Sequence, residues 1–327
     1  MTTRREFITL VGGAAAAWPL AVRAQQPKVW RIGVLETISP QLNAPNFEAF
    51  LRGLRDLGYV DGQNLAIEYR SADGHAERFP ELATGLVRSQ VDVIVTRGTP
   101  AGLAAKNATT ITPIVMTAMS DPVDVHAIDG LSHPGGNVTG FSSFSKELEP
   151  KRVQLLREIV PGLTRIAVLF NMSNPAFLSR WEMMKTVALS LQIEAQLFDV
   201  REPKDLEPAF VSAVRQHADG LICGTDGFIQ ANRKLIIELA AKFKLPSIYG
   251  YTEFTHAGGL MSYSVNYPDL YYRAAALVIK ICNGVKPSDL PVEQPTQFKF
   301  LINLKTARTL GITVPPTLLA TADEVIE

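Results

Sequence analysis

Apolar positions along this chain keep two rhythms. Short unbroken apolar runs bounded by turn residues read as strands buried on both faces, and between them stand stretches whose apolar residues recur at helical spacing. From Arg31 the order is RIGVLETISP, helical FEAFLRGLRDLGY, alternating NLAIEYR, helical AERFPELATGLVRS, apolar VDVIVT, helical AGLAAKNAT, then TPIVMTA. From Arg165 the order begins again: RIAVLFNMSNP, FLSRWEMMKTVALSLQ, IEAQLFDV, DLEPAFVSAVRQH, ADGLICGT, ANRKLIIELAAKFK and LPSIYGY. The shared Arg-Ile-x-Val-Leu openings, with matched Thr-Pro-Ile and Leu-Pro-Ser-Ile strand starts, point to internal duplication. Strand and helix alternating in two copies predict an α/β protein of two doubly wound, Rossmann-like lobes with parallel sheets.

Glycine and proline mark where the chain passes between lobes. HPGGNVTGFSSFS, ending at Ser145, is a first crossing, and GGLMSYSVNYP, Gly258 to Pro268, has the same Gly-Gly start and is a second. A helix, DLYYRAAALVIKICNG, stops at Gly284, and a proline-punctuated loop leads to the apolar strand FKFLIN. The expected division is lobe 1 over 25–140 plus about 266–297, and lobe 2 over 141–265 plus about 298–327. Several strands between lobes make a hinge.

The first 24 residues stand outside this pattern. A basic start, a weakly apolar Gly/Ala run and Ala-Val-Arg-Ala before Gln25 read as an export signal cut after about Ala24. Thr3-Arg4-Arg5-Glu6-Phe7-Ile8 resembles the twin-arginine motif, with general secretion as the other route. The expected location is therefore periplasmic. Charge is balanced, 32 basic against 32 acidic residues, and no basic run appears, which argues against nucleic-acid partners. Both cysteines, Cys223 in GLICG and Cys282 after LVIKI, read as buried thiols rather than a disulfide pair.

In doubly wound sheets ligands bind beyond the carboxyl ends of the strands. After VDVIVT comes Arg97-Gly98-Thr99-Pro100, read as an N-cap threonine followed by proline, which offers the positive end of a helix to a carboxylate. Asn171-Met172-Ser173-Asn174-Pro175 after RIAVLF presents a second helix start, with Asn174 as cap. Ser120-Asp121 follows MTA, and Thr225-Asp226-Gly227-Phe228 follows GLICG; Asp226 suits a ligand amine. Phe144, Phe170, Phe228, Tyr249 and Tyr251 supply apolar surface near these loops. Each residue alone serves equally well as a helix cap or as core; it is their convergence that suggests binding. The five histidines show no metal-ligand spacing, and no G-x-S-x-G elbow, Walker loop or dinucleotide fingerprint is present, so neither catalysis nor a metal or cofactor is expected.

Over nearly its whole length the chain resembles the periplasmic substrate-binding proteins of ABC uptake systems of the tryptophan and tyrosine type. The resemblance is carried by RREFITLVGGAAAAWPLAVRAQ, GLRDLGYVDGQNLAIEYR, GTPAGLAAK, PIVMTAMSDPV, HPGGNVTGFS, KRVQLLREIVP and INLKTARTLGITVPPTLLATADEVIE. It implies a type I periplasmic-binding fold that clamps a small ligand between lobes, for delivery to a membrane permease driven by a cytoplasmic ATPase. Thr99 and its neighbours would hold the ligand carboxylate, with Ser120, Asp121, Asn171 and Asp226 on the opposing walls. Many relatives have a histidine after the first strand; here that loop, also a candidate, reads Glu36-Thr37-Ile38-Ser39. The departure leaves other carboxylates open, aromatic acids included. An exported sensor feeding a membrane receptor, or an exported enzyme, are the other classes considered.

Overall fold

The computed structural model describes residues 28–327; the export signal expected over 1–24 lies outside them. The first sheet contains β1 (Trp30–Glu36), β2 (Leu65–Ser71), β3 (Val93–Arg97), β4 (Ile114–Met119) and β5 (Val138–Ser142). All five are parallel, in the order β2-β1-β3-β4-β5. Helices α1 (Ala44–Asp56), α2 (Phe79–Arg88) and α3 (Thr99–Ala108) connect the first four strands, and α4 (Ser145–Ile159) leads out of β5.

The second unit repeats the scheme. Strand β6 (Arg165–Phe170), α5 (Ala176–Ser190), β7 (Glu194–Asp199), α6 (Pro203–Arg215) and β8 (Gly220–Cys223) are followed by the short α7 (Gly227–Ala231) and α8 (Arg233–Lys242). Then come β9 (Ser247–Tyr249), α9 (Thr252–His256) and β10 (Met261–Val265). Helix α10 (Tyr267–Cys282) returns to the first sheet, and β11 (Phe298–Asn303), α11 (Leu304–Thr309), α12 (Pro316–Thr321) and β12 (Glu324–Ile326) complete the second. Its strand order is β12-β11-β10-β9-β8-β6-β7, so β7-β6-β8-β9-β10 mirrors the first sheet strand for strand. The parallel expectation fails at one edge of this sheet: β11 arrives from the other lobe and pairs antiparallel with β10, and β12 runs parallel to β11.

The duplicated openings fold alike down to single hydrogen bonds. Asp92, which precedes β3, accepts from the Arg31 N–H at 2.8 Å, and Asp219, which precedes β8, accepts from the Arg165 N–H at 2.9 Å. Each aspartate's own N–H returns to the arginine carbonyl, Asp92 to Arg31 at 2.7 Å and Asp219 to Arg165 at 2.8 Å. Alternate residues of β1 then part to opposite faces, Ile32 and Val34 toward α1 and α10, Leu35 toward α2 and α3. In β6, Ile166, Val168 and Phe170 take one face, and Ala167 and Leu169 the other.

The chain crosses between sheets three times, at Ser143-Phe144, at Asn266 and before Phe298. Asn266 ties two crossings together, its N–H donating to the Gln297 carbonyl at 3.0 Å and its amide to the Gln297 side chain at 3.0 Å. Phe144, left-handed at φ 51°, packs its ring 6.3 Å from that of Phe298. Cys223 and Cys282 are buried free thiols, one in each unit.

Helix α10 closes the first lobe by lying against α1, and Gly53 is the point of contact. A Cβ at Gly53 would sit 2.5 Å from the Tyr272 carbonyl oxygen and 2.9 Å from Ala275 Cβ. Gly53→Ala is therefore expected to destabilise the protein by about 1–3 kcal/mol despite alanine's better helix propensity. Urea denaturation checks this; an unchanged or higher midpoint would mean that the helices have room to spare.

Candidate functional site

In each sheet the first and third strands of the lobe lie side by side while their connections run to opposite faces, and a crevice opens beyond their carboxyl ends. The two crevices face each other and form one cleft enclosing about 540 Å³, its solvent-facing mouth included. From the first lobe it is lined by Thr37 after β1, by Gly74, Ala76 and Phe79 after β2, and by Arg97 to Pro100 after β3. Ala118, Ser120 and Ser143 continue that wall. Facing them are Asn174 after β6, Thr225 to Phe228 after β8 and Tyr251 after β9, and Tyr267 stands at the start of α10, where the chain returns to the first lobe.

Arg97 dominates the electrostatics. It ends a fully buried strand and is 2% exposed, yet a guanidinium keeps its charge in proteins. Its Nη1 donates to Asn43 Oδ1 at 3.1 Å in the first lobe, and its Nη2 to Gln230 Oε1 at 2.8 Å in the second. Its charge lies 5.4 Å from the ring centre of Tyr251 and 5.1 Å from that of Tyr267. Among the described residues no carboxylate lies within ion-pair distance of it. Glu36 is the nearby acid, but it turns behind the cleft, accepting from the Tyr271 hydroxyl and the Thr37 N–H. Burial raises its pKa, against the pull of the Arg97 charge and these hydrogen bonds. Among the described residues these two hydrogen bonds leave three of its five N–H groups without a protein acceptor, the chemistry that suits an anion.

On the opposite wall Asp226 caps α7 through the Phe228 N–H at 2.9 Å and is held by Asn171 Nδ2 at 3.2 Å and Asn174 Nδ2 at 3.0 Å. Behind it lies a buried charge cluster. Arg180 and Arg152 both donate to Glu149 Oε1, and Arg180 Nη1 donates to Thr225 Oγ1 at 2.9 Å. Because Thr225 accepts from Arg180, its own hydroxyl proton is free to point into the cleft. Asp226 as acceptor and Thr225 as donor make this wall suited to a polar head group with both functions.

Ten of the sequence-predicted residues meet at the cleft: Thr37, Gly98, Thr99, Pro100, Ser120, Asn174, Thr225, Asp226, Phe228 and Tyr251. The capping reading of Thr99 is corrected. Gly98, at φ 81°, is the N-cap, while Thr99 stands in the first turn and donates its hydroxyl to the Ser120 carbonyl at 3.2 Å. The capping reading of Asn174 is corrected too: Pro175 holds the N-cap position of α5, and Asn174, one residue earlier, accepts from the Ala176 N–H at 3.2 Å. Six candidates lie elsewhere. Glu36 and Asn171 stand behind the lining residues they orient, Ser39 accepts from the Leu42 N–H at 3.4 Å in its own turn, and Phe144 belongs to the hinge. Tyr249 stacks on Phe254 at 4.5 Å within the second lobe, and Asp121 lines a separate pocket with Lys146 and Glu147. Phe170 likewise stacks on Phe177, at 4.4 Å. Arg97, Gly74, Ala76, Phe79 and Tyr267 were missed. The available signal for Arg97 was a charged residue directly continuing an apolar strand into a binding loop.

Comparison with known proteins follows from this geometry. Residues 31–326 match the family model described as ABC transporter substrate binding protein. The chain belongs to this family. Substrate-binding proteins of the family are receptors rather than enzymes, and the two-lobed fold is that of type I periplasmic-binding proteins. A Tyrosine-binding protein of Clostridioides difficile is 27% identical over 291 residues, covering 89% of this chain and 83% of the relative. An ABC domain in complex with L-Trp from Streptococcus pneumonia is 27% identical with a TM-score of 0.82, covering 90% of this chain and 100% of that one. The ligand-free, open structure of a substrate binding protein with adhesive properties from Clostridium difficile is 26% identical, with a TM-score of 0.66 and coverage of 91% and 99%.

Asp121 gives the substrate-binding protein a pH signature. It takes a left-handed backbone at φ 46°, and its Oδ2 is buried without a partner. Burial raises its pKa to about 6, Arg180 across the cleft pulling the other way. The folded state therefore holds this proton more tightly than the unfolded chain. Its contribution to stability is complete below the ordinary aspartate pKa and is lost as pH rises through about 6. Asp121→Asn, which keeps the shape and tolerates the same backbone, should stabilise the protein by about 1–2 kcal/mol at pH 7.5 and by almost nothing near pH 4. Urea denaturation at the two pH values checks this; a gain that does not depend on pH would rule out the carboxyl as its source.

Proposed function

We propose that this chain is the extracytoplasmic solute-binding component of an ABC uptake transporter. It clamps a small carboxylate-bearing ligand, an amino acid or an aromatic acid, between its lobes. The observation that carries the ligand class is Arg97, a buried cation facing the cleft with no anion of its own. A ligand carboxylate supplies that anion, aided by the N-terminal end of α3 at Gly98-Thr99. Asp226 takes the amine of an amino acid, and Phe79, Ala76 and Phe228 form the apolar bed for its side chain.

The names of the relatives agree with this, one a Tyrosine-binding protein and one a complex with L-Trp. The chain is more similar overall to the L-Trp complex, with a TM-score of 0.82, than to the open, ligand-free relative, with 0.66, which supports a closed arrangement of the lobes. A ligand that touches both lobes favours their closure by its differential affinity for the closed state. The closed form is what a permease would read, with a cytoplasmic ATPase driving transfer. Removal of an export signal after about Ala24 would deliver the receptor to the periplasm.

Calorimetric titration of residues 25–327 with L-tyrosine, L-tryptophan, L-leucine, phenylacetate and tyramine tests the reading. At least one carboxylate should bind, and tyramine, which lacks the carboxylate, should not. Arg97→Met should weaken the binding carboxylate by about ten- to a hundredfold, the contribution of a charge-assisted hydrogen bond. Binding of tyramine as tightly as L-tyrosine, or an Arg97→Met variant with unchanged affinity, would remove Arg97 from the site.

A further inference from the structure

Two glycines, one from each lobe, let the walls of the cleft meet at one end. Gly74 follows β2 at φ +85°, and a Cβ on it would lie 2.7 Å from Ala231 Cβ and 3.5 Å from the Gly227 carbonyl oxygen. Gly227 opens α7, and a Cβ there would lie 2.7 Å from Thr37 Cβ. Side-chain carbons essentially never approach so closely, so either substitution forces a shift where the two lobes touch. The Gly74 N–H donates to the Thr37 carbonyl at 2.8 Å, which joins the two first-lobe loops into one lip. Nearby, the Arg97–Gln230 hydrogen bond spans the same gap.

We propose that Gly74 and Gly227 are specificity-determining residues that form a closing seam and set the size of ligand the clamp accepts. This rests on the binding function proposed above. With the seam shut, the cavity ends at Thr37 and Gly74, so a single amino acid or a comparably small carboxylate leaves both lobe-to-lobe contacts intact. A ligand running on past this end, such as a dipeptide, must hold the lobes apart and forfeits both the seam and the Arg97–Gln230 bond. The seam thus restricts the substrate class to free small carboxylates rather than peptides. Gly74 acts at a distance from the ligand head group, through closure.

The test is a double-mutant cycle with L-tyrosine and L-tryptophan as probes, dissociation constants being read by calorimetry for the wild type, Gly74→Ala, Ala231→Gly and the double variant. Backbone strain at position 74 is the same in open and closed forms and cancels from the binding constant. Gly74→Ala should weaken binding at least tenfold, Ala231→Gly should bind like the wild type, and the double variant should recover to within about threefold, since it restores the missing space. Gly227→Ala, free of backbone strain, should weaken binding as Gly74→Ala does. Unchanged affinity in both alanine variants, or no recovery in the double variant, overturns the proposal.

If the wild type binds neither probe, the ligand reading fails and the seam is tested separately. Cysteines at positions 74 and 231 reach the ~3.8 Å Cβ spacing of a disulfide when the lobes stand about 1 Å short of full closure, and the native cysteines are buried and do not compete. Mild oxidation of the ligand-free Gly74→Cys/Ala231→Cys chain should then give an intramolecular cross-link. Its absence would overturn the seam itself.

Discussion

A guanidinium cannot shed its charge on burial, and Arg97 obliges everything near it to act as its solvent. Its shell is drawn from both lobes: Asn43 and the ring of Tyr267 from the first, Gln230 and the ring of Tyr251 from the second. None of these partners carries a full negative charge. The neutral shell is adequate only while the lobes stay together, and it leaves the cation short of an anion. That shortfall is a standing preference for one kind of guest.

The second lobe treats buried charge in the opposite way. Glu149 takes hydrogen bonds from both Arg152 and Arg180 within a fully covered cluster, so these arginines are neutralised in part by the protein itself. Removing Glu149 would strand two cations, which makes the cluster a structural commitment rather than a recognition element. What reaches the cleft from it is indirect. Arg180 fixes the orientation of the Thr225 hydroxyl, and the rings of Phe177 and Phe170 hold Arg180 in place, 4.5 Å and 5.3 Å from its charge.

Much of the fold was legible because duplication leaves a local record. The Arg-Ile openings, and the aspartates that pair with them, recur at matching places since each sheet needs its first strand anchored to its third. The loops that line the cleft were legible from topology alone. Side-chain direction was not. Tyr249 and Tyr251 are two residues apart in one loop region, yet the first stays inside the strand and stacks on Phe254, while the second lies beyond the strand end and reaches the cleft. Asn171 and Asn174 differ in the same way, one orienting Asp226 from behind and one lining the cavity. Arg97 read as the start of a loop because a charge at the end of an apolar strand ordinarily escapes to water. Gly74 carried no sign of its role, which depends on a contact with a residue more than 150 positions later.

Helix α10 belongs to the first lobe in space and to the end of the chain in sequence. Roughly 210 residues separate it from α1, and at ~5–20 residues per second the ribosome needs some tens of seconds to bridge them. Through that interval Phe50, Leu54 and the adjoining face of the first sheet have nothing to cover them. The second lobe's leading strands are made, and free to collapse, before the first lobe has its final layer. Neither lobe is whole until the end of the chain arrives, α10 for the first and β11 to β12 for the second, so the two halves start apart and finish together.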